Sequence, residues 1–204
     1  MVRCRPVLIV SLALAVPATL ASQGRAHAPA PFSTIALSVA GVEQAGGNRE
    51  LDAWDPNPGI ELRALFPFYA GSAEIGFHQQ TFASRLPGIP GFRGRFIFAG
   101  WGWDVRAMRP LRPLRPLRLR VGLRVGMYDF QFDDASLPPY SRNENEIATS
   151  LGVEAGWTLG NGWEVVAAGR GRMVMTEPRM RQVVLAAGLG RRFTTPAWLR
   201  EFLD

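Results

Sequence analysis

A strict alternation of apolar and polar side chains is the feature that most restricts what this chain can fold into. It is clearest in residues 117–127, where Leu, Val and Met occupy every second position and arginine or glycine occupies the positions between them. A strand sends successive side chains to opposite faces, whereas a helix would spread these arginines around its whole circumference. The segment is therefore predicted to be a β-strand with one apolar face.

The same alternation recurs along the chain, in segments bounded by turn-forming residues, and predicts eight strands. The connections between them tend to alternate between long, polar ones and short ones. This pattern indicates an all-β chain in which consecutive strands run antiparallel. The predicted strands are residues 32–43, 59–68, 72–83, 92–108, 117–132, 146–159, 163–175 and 181–193.

Composition narrows the class of protein further. The chain has 204 residues, of which 47% are hydrophobic and 20% charged, so it is neither a disordered chain nor a polytopic helical membrane protein. After residue 31 no stretch approaches the ~18 uninterrupted apolar residues of a membrane-spanning helix. All 23 basic residues are arginine, and they are spread along the chain instead of forming a basic run, so nucleic-acid binding is not predicted.

The N-terminus has the charge order of a secretory signal. Arg3 and Arg5 precede the apolar run 7–20, which is too short for a membrane anchor of about 20 residues. We therefore expect residues 1–21 to be a signal peptide, followed by a flexible leader at 22–31.

Two cleavage sites compete, one before Ser22 and one before Pro29. The first is favoured because Pro29 would hinder a peptidase that needs an extended bond there. The single cysteine, Cys4, lies in the removed segment, so the exported chain is expected to have no disulfide and no thiol chemistry.

Alternation alone does not say which face of a closed sheet points outward. In a soluble barrel that carries a ligand, the apolar face points inward; in a membrane barrel it faces lipid. Here the polar face is rich in Gly, Ala and Ser, which suits a cramped interior. Tyr69, Trp157 and Trp163 lie near short turns and Tyr128 near a long loop, where rings at a membrane interface are expected. Both features favour the membrane barrel.

With these features the chain resembles the small outer-membrane barrels of the OmpA and OmpX kind. The resemblance covers residues 32–193, together with the signal sequence and a last strand that ends on an aromatic residue, Phe193. It implies an eight-stranded antiparallel up-and-down transmembrane β-barrel in the outer membrane, with both termini in the periplasm. It further implies contact with outer-membrane lipid and recognition of the last strand by the barrel assembly machinery. The tail 194–204 follows Phe193 and is expected to be a short interfacial helix or a frayed end.

The charged residues of the polar face would then be enclosed. An eight-stranded barrel is just wide enough to be filled by its own side chains, so these charges are expected to pair across the lumen as a structural ion network. Folding back the fourth and fifth strands about their turn predicts Asp104 close to Arg120 and Arg124. The predicted network consists of Glu61, Arg63, Glu74, Asp104, Arg106, Arg120, Arg124, Glu154 and Arg170.

These features predict a structural or surface-interaction role. The loops 44–58 and 133–145 carry Trp54 and Tyr140 among prolines, asparagines and acids, a composition suited to contacts with a surface partner. Two alternatives stay open: a small-solute channel that favours anions, and a soluble periplasmic barrel that binds an apolar ligand.

No enzymatic activity, cofactor or metal site is predicted. His78 is the only histidine in the predicted barrel, and it lacks the serine two residues further along the strand that small outer-membrane lipid hydrolases use as nucleophile. His78 is instead expected to form hydrogen bonds in the interior. No Cys or His cluster offers a transition-metal site.

Overall fold

The computed structural model describes residues 31–69, 71–105, 117–133 and 143–203. The predicted signal peptide, 1–21, and nearly all of the leader, 22–31, lie outside the described residues. The strands are β1 (Thr34–Gly47), β2 (Trp54–Pro56), β3 (Gly59–Phe68), β4 (Gly71–Ser84), β5 (Phe92–Asp104), β6 (Leu117–Phe132), β7 (Asn143–Gly160), β8 (Trp163–Val174) and β9 (Met180–Thr194), and a helix α1 (Ala197–Leu203) follows.

Eight of these strands close into a barrel. Each pairs antiparallel with its neighbours in the order β4, β3, β1, β9, β8, β7, β6, β5, and the pairing of β4 with β5 completes the ring. The short strand β2 is not part of the ring; it pairs with residues 82–84 at the C-terminal end of β4. The predicted fold, an eight-stranded antiparallel up-and-down barrel, is confirmed.

The wall has its apolar face outside. Ile97, Val153 and Leu151 are 63%, 61% and 54% exposed, whereas the inward-facing Glu61 and Arg124 are each 3% exposed. This is the polarity of a barrel whose outer face meets hydrocarbon and whose polar groups are enclosed. The alternative of a soluble barrel around an apolar ligand is therefore wrong.

The outer wall changes from apolar to polar within one step of the strand register on β4–β7. The last apolar row consists of Phe77, Ile97, Met127 and Ile147. The next outward row consists of Gln79, Arg95, Asp129 and Asn145. Above this boundary most of the buried inward side chains are apolar, so the upper end of the barrel has the polarity of a water-soluble protein. Five of these buried side chains are aromatic: Phe82, Phe92, Phe96, Tyr128 and Phe130. We call the part of the barrel beyond this boundary the upper barrel. The boundary itself marks where the lipid-facing wall ends.

Aromatic side chains lie on the outer wall at the opposite end. Tyr69, Trp157 and Trp163 are exposed there, as is Trp198 on α1. Tyr128, which was expected at the membrane interface, instead points into the lumen and is fully buried. Tyr128 shares the inward face of β6 with Arg124, since the two positions are four residues apart on one strand.

The connection expected as an open loop at 44–58 is largely folded. β1 continues to Gly47, a 3-10 turn follows, and β2 then pairs with β4. Trp54 was expected to be available for surface contacts, but it is half-buried, donates its indole N–H to the Pro90 carbonyl at 2.9 Å and packs edge-on against Phe92. This connection, with Leu51 buried beneath it, covers one side of the barrel mouth.

Other expected boundaries also move. The strand predicted at 92–108 ends at Asp104. In the loop predicted at 133–145, residues 143–145 already belong to β7, and Tyr140 lies outside the described residues. The tail, for which a helix or a frayed end was expected, contains α1. No helix in the described part of the chain is long and apolar enough to span a membrane.

The polarity of the outer wall predicts that an arginine introduced at two different positions of β7 will reduce the free energy of unfolding by different amounts. We expect V153R to reduce the free energy of unfolding from lipid bilayers by about 2–4 kcal/mol, because it places a charge near the middle of the lipid-facing wall. N145R, in the polar row beside Asp129, should cost about 1 kcal/mol or less. Urea titration of the barrel refolded into liposomes measures both, and equal costs would contradict the position of the boundary.

Candidate functional site

The lower lumen, which is the part of the interior enclosed by the lipid-facing wall, contains a network of buried ion pairs. Glu74 lies at its centre: its carboxylate is 2.8 Å from Arg120 Nη2, 2.7 Å from Arg124 Nε and 3.5 Å from Arg63 Nη1. The Glu74 and Arg63 side chains are at most 2% exposed. Three guanidinium groups thus share one carboxylate that water does not reach.

The other two glutamates complete the network from different strands. Glu61 is 2.9 Å from Arg124 Nη1 and 3.3 Å from Arg170 Nη1. Glu154 pairs closely with Arg63 and lies 3.3 Å from Arg170 Nη2 and 3.6 Å from Arg120 Nη2. Every one of the four arginines therefore contacts two glutamates. We call these seven residues the ion network: Glu61, Arg63, Glu74, Arg120, Arg124, Glu154 and Arg170.

Glycines in the wall make room for these long side chains. In the register Gly100 lies between Glu74 on β4 and Arg124 on β6, all three facing inward. A Cβ atom at Gly100 would come within 2.9 Å of the Glu74 carboxylate and 3.0 Å of Arg124 Cγ. The alternation of glycine with charged residues on neighbouring strands is thus a packing requirement of the network.

Seven of the nine residues expected in the lumen come together in this way. Asp104 does not: it is the register partner of Arg120 but is exposed at the lower end of β5. Arg120 extends instead over Gly102, where a Cβ atom would lie 2.8 Å from Arg120 Cδ, and reaches Glu74. The expected contact of Asp104 with Arg120 and Arg124 is therefore corrected. Arg106 lies outside the described residues.

A separate ion pair lies below the network. Arg118 Nη2 is 2.8 Å from both carboxylate oxygens of Glu164, and the two side chains are 33% and 12% exposed. This pair is more hydrated than the network because it lies toward the open lower end of the lumen.

The upper lumen is filled by apolar side chains, which the sequence analysis missed. Phe82 and Phe92 stack with ring centroids 4.4 Å apart, and Phe96 stacks on Phe98 at 5.2 Å. We call this group the aromatic cluster; its buried members are Leu51, Phe82, Phe92, Phe96, Phe98, Tyr128, Phe130, Ala148, Val174 and Met180. The signal was present in residues 92–98, where phenylalanine at 92, 96 and 98 shares the face opposite Arg93 and Arg95.

Arg172 lies where the ion network meets the aromatic cluster. Its guanidinium carbon is 4.6 Å from the Phe96 ring centroid and 5.6 Å from that of Tyr128, and Nη1 donates to Gln182 Oε1 at 3.3 Å. With Arg172 the buried lumen holds five arginines against three glutamates among the described residues. The interior therefore carries an excess of positive charge.

Two observations concern the residue types that metal binding and catalysis would require. In the part of the chain that the structure describes, no three His, Cys, Asp or Glu side chains come together as a metal site. His78 is fully buried, and neither of its ring nitrogens has a hydrogen-bond partner among the described residues. The expectation that His78 forms interior hydrogen bonds within the protein is therefore not met by those residues.

Comparison with solved structures finds small outer-membrane barrels. Neisserial surface protein A (NspA) matches with 14% identity over 78% of this chain and 95% of that chain, at a TM-score of 0.49. Ail, the attachment invasion locus protein of Yersinia pestis, matches with 13% identity over 78% and 97%, at 0.48. The N-terminal β-barrel domain of Pseudomonas aeruginosa OprF matches with 9% identity over 80% and 99%, at 0.49. No protein-family model and no curated protein matches the sequence.

The fold is that of a small outer-membrane barrel. This conclusion rests on the closed ring of eight strands, on the apolar outer wall and on the enclosed charges. The resemblance drawn from the sequence is thereby confirmed at the level of the fold.

The ion network predicts a large cost for removing its central carboxylate. We expect E74Q to reduce the free energy of unfolding by about 3–5 kcal/mol, because it leaves buried arginines without their shared counter-ion. Urea titration in detergent micelles or liposomes measures the loss.

The control for this prediction is E164Q. It removes the same charge from a pair that is partly hydrated, so it should cost about 1 kcal/mol or less. A cost for E74Q no larger than that of E164Q would show that the buried network does not stabilise the barrel.

Proposed function

We propose that this protein is an exported outer-membrane barrel with a structural or surface-interaction role, and that it is neither a pore nor an enzyme. The observation that carries the proposal is that buried side chains occupy both the lower and the upper lumen. The ion network occupies the lower part, and the aromatic cluster occupies the upper part. Eight strands enclose a space that side chains of this size can fill.

A channel that favours anions is the second candidate. The excess of buried arginine would attract anions, which is the observation in its favour. Against it, each network arginine is engaged by two carboxylates, and the stacked rings of Phe82 and Phe92 lie in the path above. An ion would have to break several buried ion pairs to pass, and each such break costs several kcal/mol.

Conductance in planar bilayers tests the two candidates. We expect the refolded barrel to give no stable current steps above those of a bilayer that received detergent alone, because the side chains leave no continuous water path. The E74Q variant serves as a sensitised comparison, since its lower lumen is loosened while its aromatic cluster is unchanged. Stable anion-selective steps from the unmodified protein would overturn the closed-lumen proposal.

The outer-membrane location is supported by the wall itself. A belt of exposed Leu, Val and Ile side chains is bounded above by the polar row and below by Tyr69, Trp157 and Trp163. Aromatic rings at one edge and polar groups at the other are the arrangement that bilayer interfaces favour. We therefore infer that outer-membrane lipid is the partner of this surface.

Assembly into that membrane is inferred from the last strand. Phe193 lies on the outer wall near the end of β9, opposite Ile35 of β1, where the barrel closes. We infer that the barrel assembly machinery recognises this strand and that α1 follows it on the periplasmic side.

We propose that the surface partner binds the upper barrel. The connection 44–58 forms a folded cover there, held by the pairing of β2 with β4 and by hydrogen bonds from Arg85 to Asp55. The hydrogen bond from Arg85 holds the pKa of Asp55 below its ordinary value, so this pair stays charged at neutral pH. With Leu86 exposed beside it, the cover presents both charged and apolar groups outward. Residues 133–145 are proposed as the second contact segment.

Membrane sidedness can be tested with single cysteines, since the only native cysteine is in the predicted signal peptide. N57C, in the connection between β2 and β3, should react with a membrane-impermeant maleimide on intact cells. E201C, on α1, should react only after the outer membrane is permeabilised. Both positions are exposed, so accessibility to the reagent is set by the membrane alone.

A heat-modifiable shift in gel migration confirms that each cysteine variant is folded. Labelling of E201C on intact cells, or protection of N57C there, would contradict the proposed topology.

A further inference from the structure

Buried polar groups without partners lie between the ion network and the aromatic cluster. His78, Ser150 and Arg172 are at most 4% exposed. Among the described residues no partner is found for either ring nitrogen of His78, for the Ser150 hydroxyl or for Arg172 Nε. Leaving a buried polar group unsatisfied is unfavourable, so these unpaired groups indicate an occupant that bonds to them.

Strand register and one ring contact connect the three side chains. On β4, His78 lies between Glu74 of the network and Phe82 of the cluster. His78 is the register partner of Phe96, and the Arg172 guanidinium stacks on the Phe96 ring, so the guanidinium lies beside His78. Ser150 is the register partner of Arg172 on the adjacent strand.

Arg172 carries a positive charge that no carboxylate contacts among the described residues. The three buried glutamates are engaged by the four network arginines, whereas Arg172 contacts the neutral Gln182 and two aromatic rings. A buried ion without a counter-charge destabilises the folded state. An anion is therefore the occupant that would both accept the open hydrogen bonds and reduce the excess of positive charge among the described buried residues.

We propose that the lumen encloses one small monovalent anion of the halide class, bound by the Arg172 guanidinium, a ring N–H of His78 and the Ser150 hydroxyl. Neutral histidine donates from one of its two ring nitrogens, and serine donates from its hydroxyl, so each of the three residues can contribute at least one donor. One negative charge balances Arg172, the buried arginine that no carboxylate contacts among the described residues, and leaves the network with its own excess of one arginine. Because the lumen is filled above and below, the anion is taken up as the barrel folds and is not conducted.

Bromide is the probe for this site, because it replaces chloride and scatters anomalously. Crystals of the exported chain, residues 22–204, refolded in sodium bromide should show an anomalous peak between Arg172, His78 and Ser150. Ordered water at this position without an anomalous peak would overturn the proposal.

Stability in solution gives a second measure that does not need crystals. A ligand that binds only the folded state raises its stability in proportion to the logarithm of ligand concentration. The urea midpoint should therefore be higher in sodium bromide than in sodium gluconate at equal ionic strength. R172M should lose this difference, and S150A should weaken the apparent bromide affinity about tenfold, the effect of one lost hydrogen bond to a charged group.

R191M is the matched control. Arg191 also stacks on two aromatic rings, Trp163 at 5.2 Å and Phe193 at 5.1 Å, but it lies on the outer wall. The bromide effect should be unchanged in this variant. If R172M does not fold, S150A and H78F carry the test, since neither removes a charge from the lumen.

A bromide effect that persists in R172M and S150A, or that is missing from the unmodified protein, would overturn the site. Failure here is distinguishable from failure of the closed lumen, because the lumen is judged by conductance. A barrel that excludes bromide and carries no current refutes only the anion site.

Discussion

The structure depends on filling a lumen that eight strands enclose. A barrel of this size leaves room for side chains and little else, so every polar group pointing inward must find its partner there. The lower lumen solves this with three glutamates, each shared among two or three arginines. Arginine suits this task, because its planar group of five donors can contact two carboxylates at once, which a lysine ammonium does less well. The complete absence of lysine from the chain is consistent with that demand.

The polarity of the wall differs between the rows that face lipid and the upper barrel, which faces water. Along the lipid-facing rows the outer side chains are aliphatic, and the enclosed ones are charged. In the upper barrel the relation is reversed, with Arg95 and Asp129 outside and Phe96 and Tyr128 inside. A segment that projects beyond the hydrocarbon gains more from an apolar interior, because water solvates its outer groups. The wall thus has the polarity of a membrane protein for most of its height and that of a soluble protein in the upper barrel.

The sequence predicted the fold and most of the ion network, but not the aromatic cluster. Strict alternation is unchanged when the polarity of both faces is exchanged, so residues 92–98 gave the same strand pattern while their phenylalanines pointed inward. Asp104 was misplaced for a related reason. The register with Arg120 was correct, but register does not determine where a long side chain ends, and the space above Gly102 let Arg120 reach Glu74. The surroundings of Arg172 and His78 could not be predicted, because their neighbours lie on strands that are distant in the sequence.

The sequence by itself determined the strand class, the approximate positions of the eight strands and the residues that share each face, because these follow from backbone geometry with a period of two. Only the tertiary structure decided which carboxylate each arginine contacts, where the wall changes polarity and how the lumen is closed. Those outcomes depend on closing the ring, which brings strands distant in the sequence, such as β3 and β7, close enough across the lumen for Arg63 to pair with Glu154.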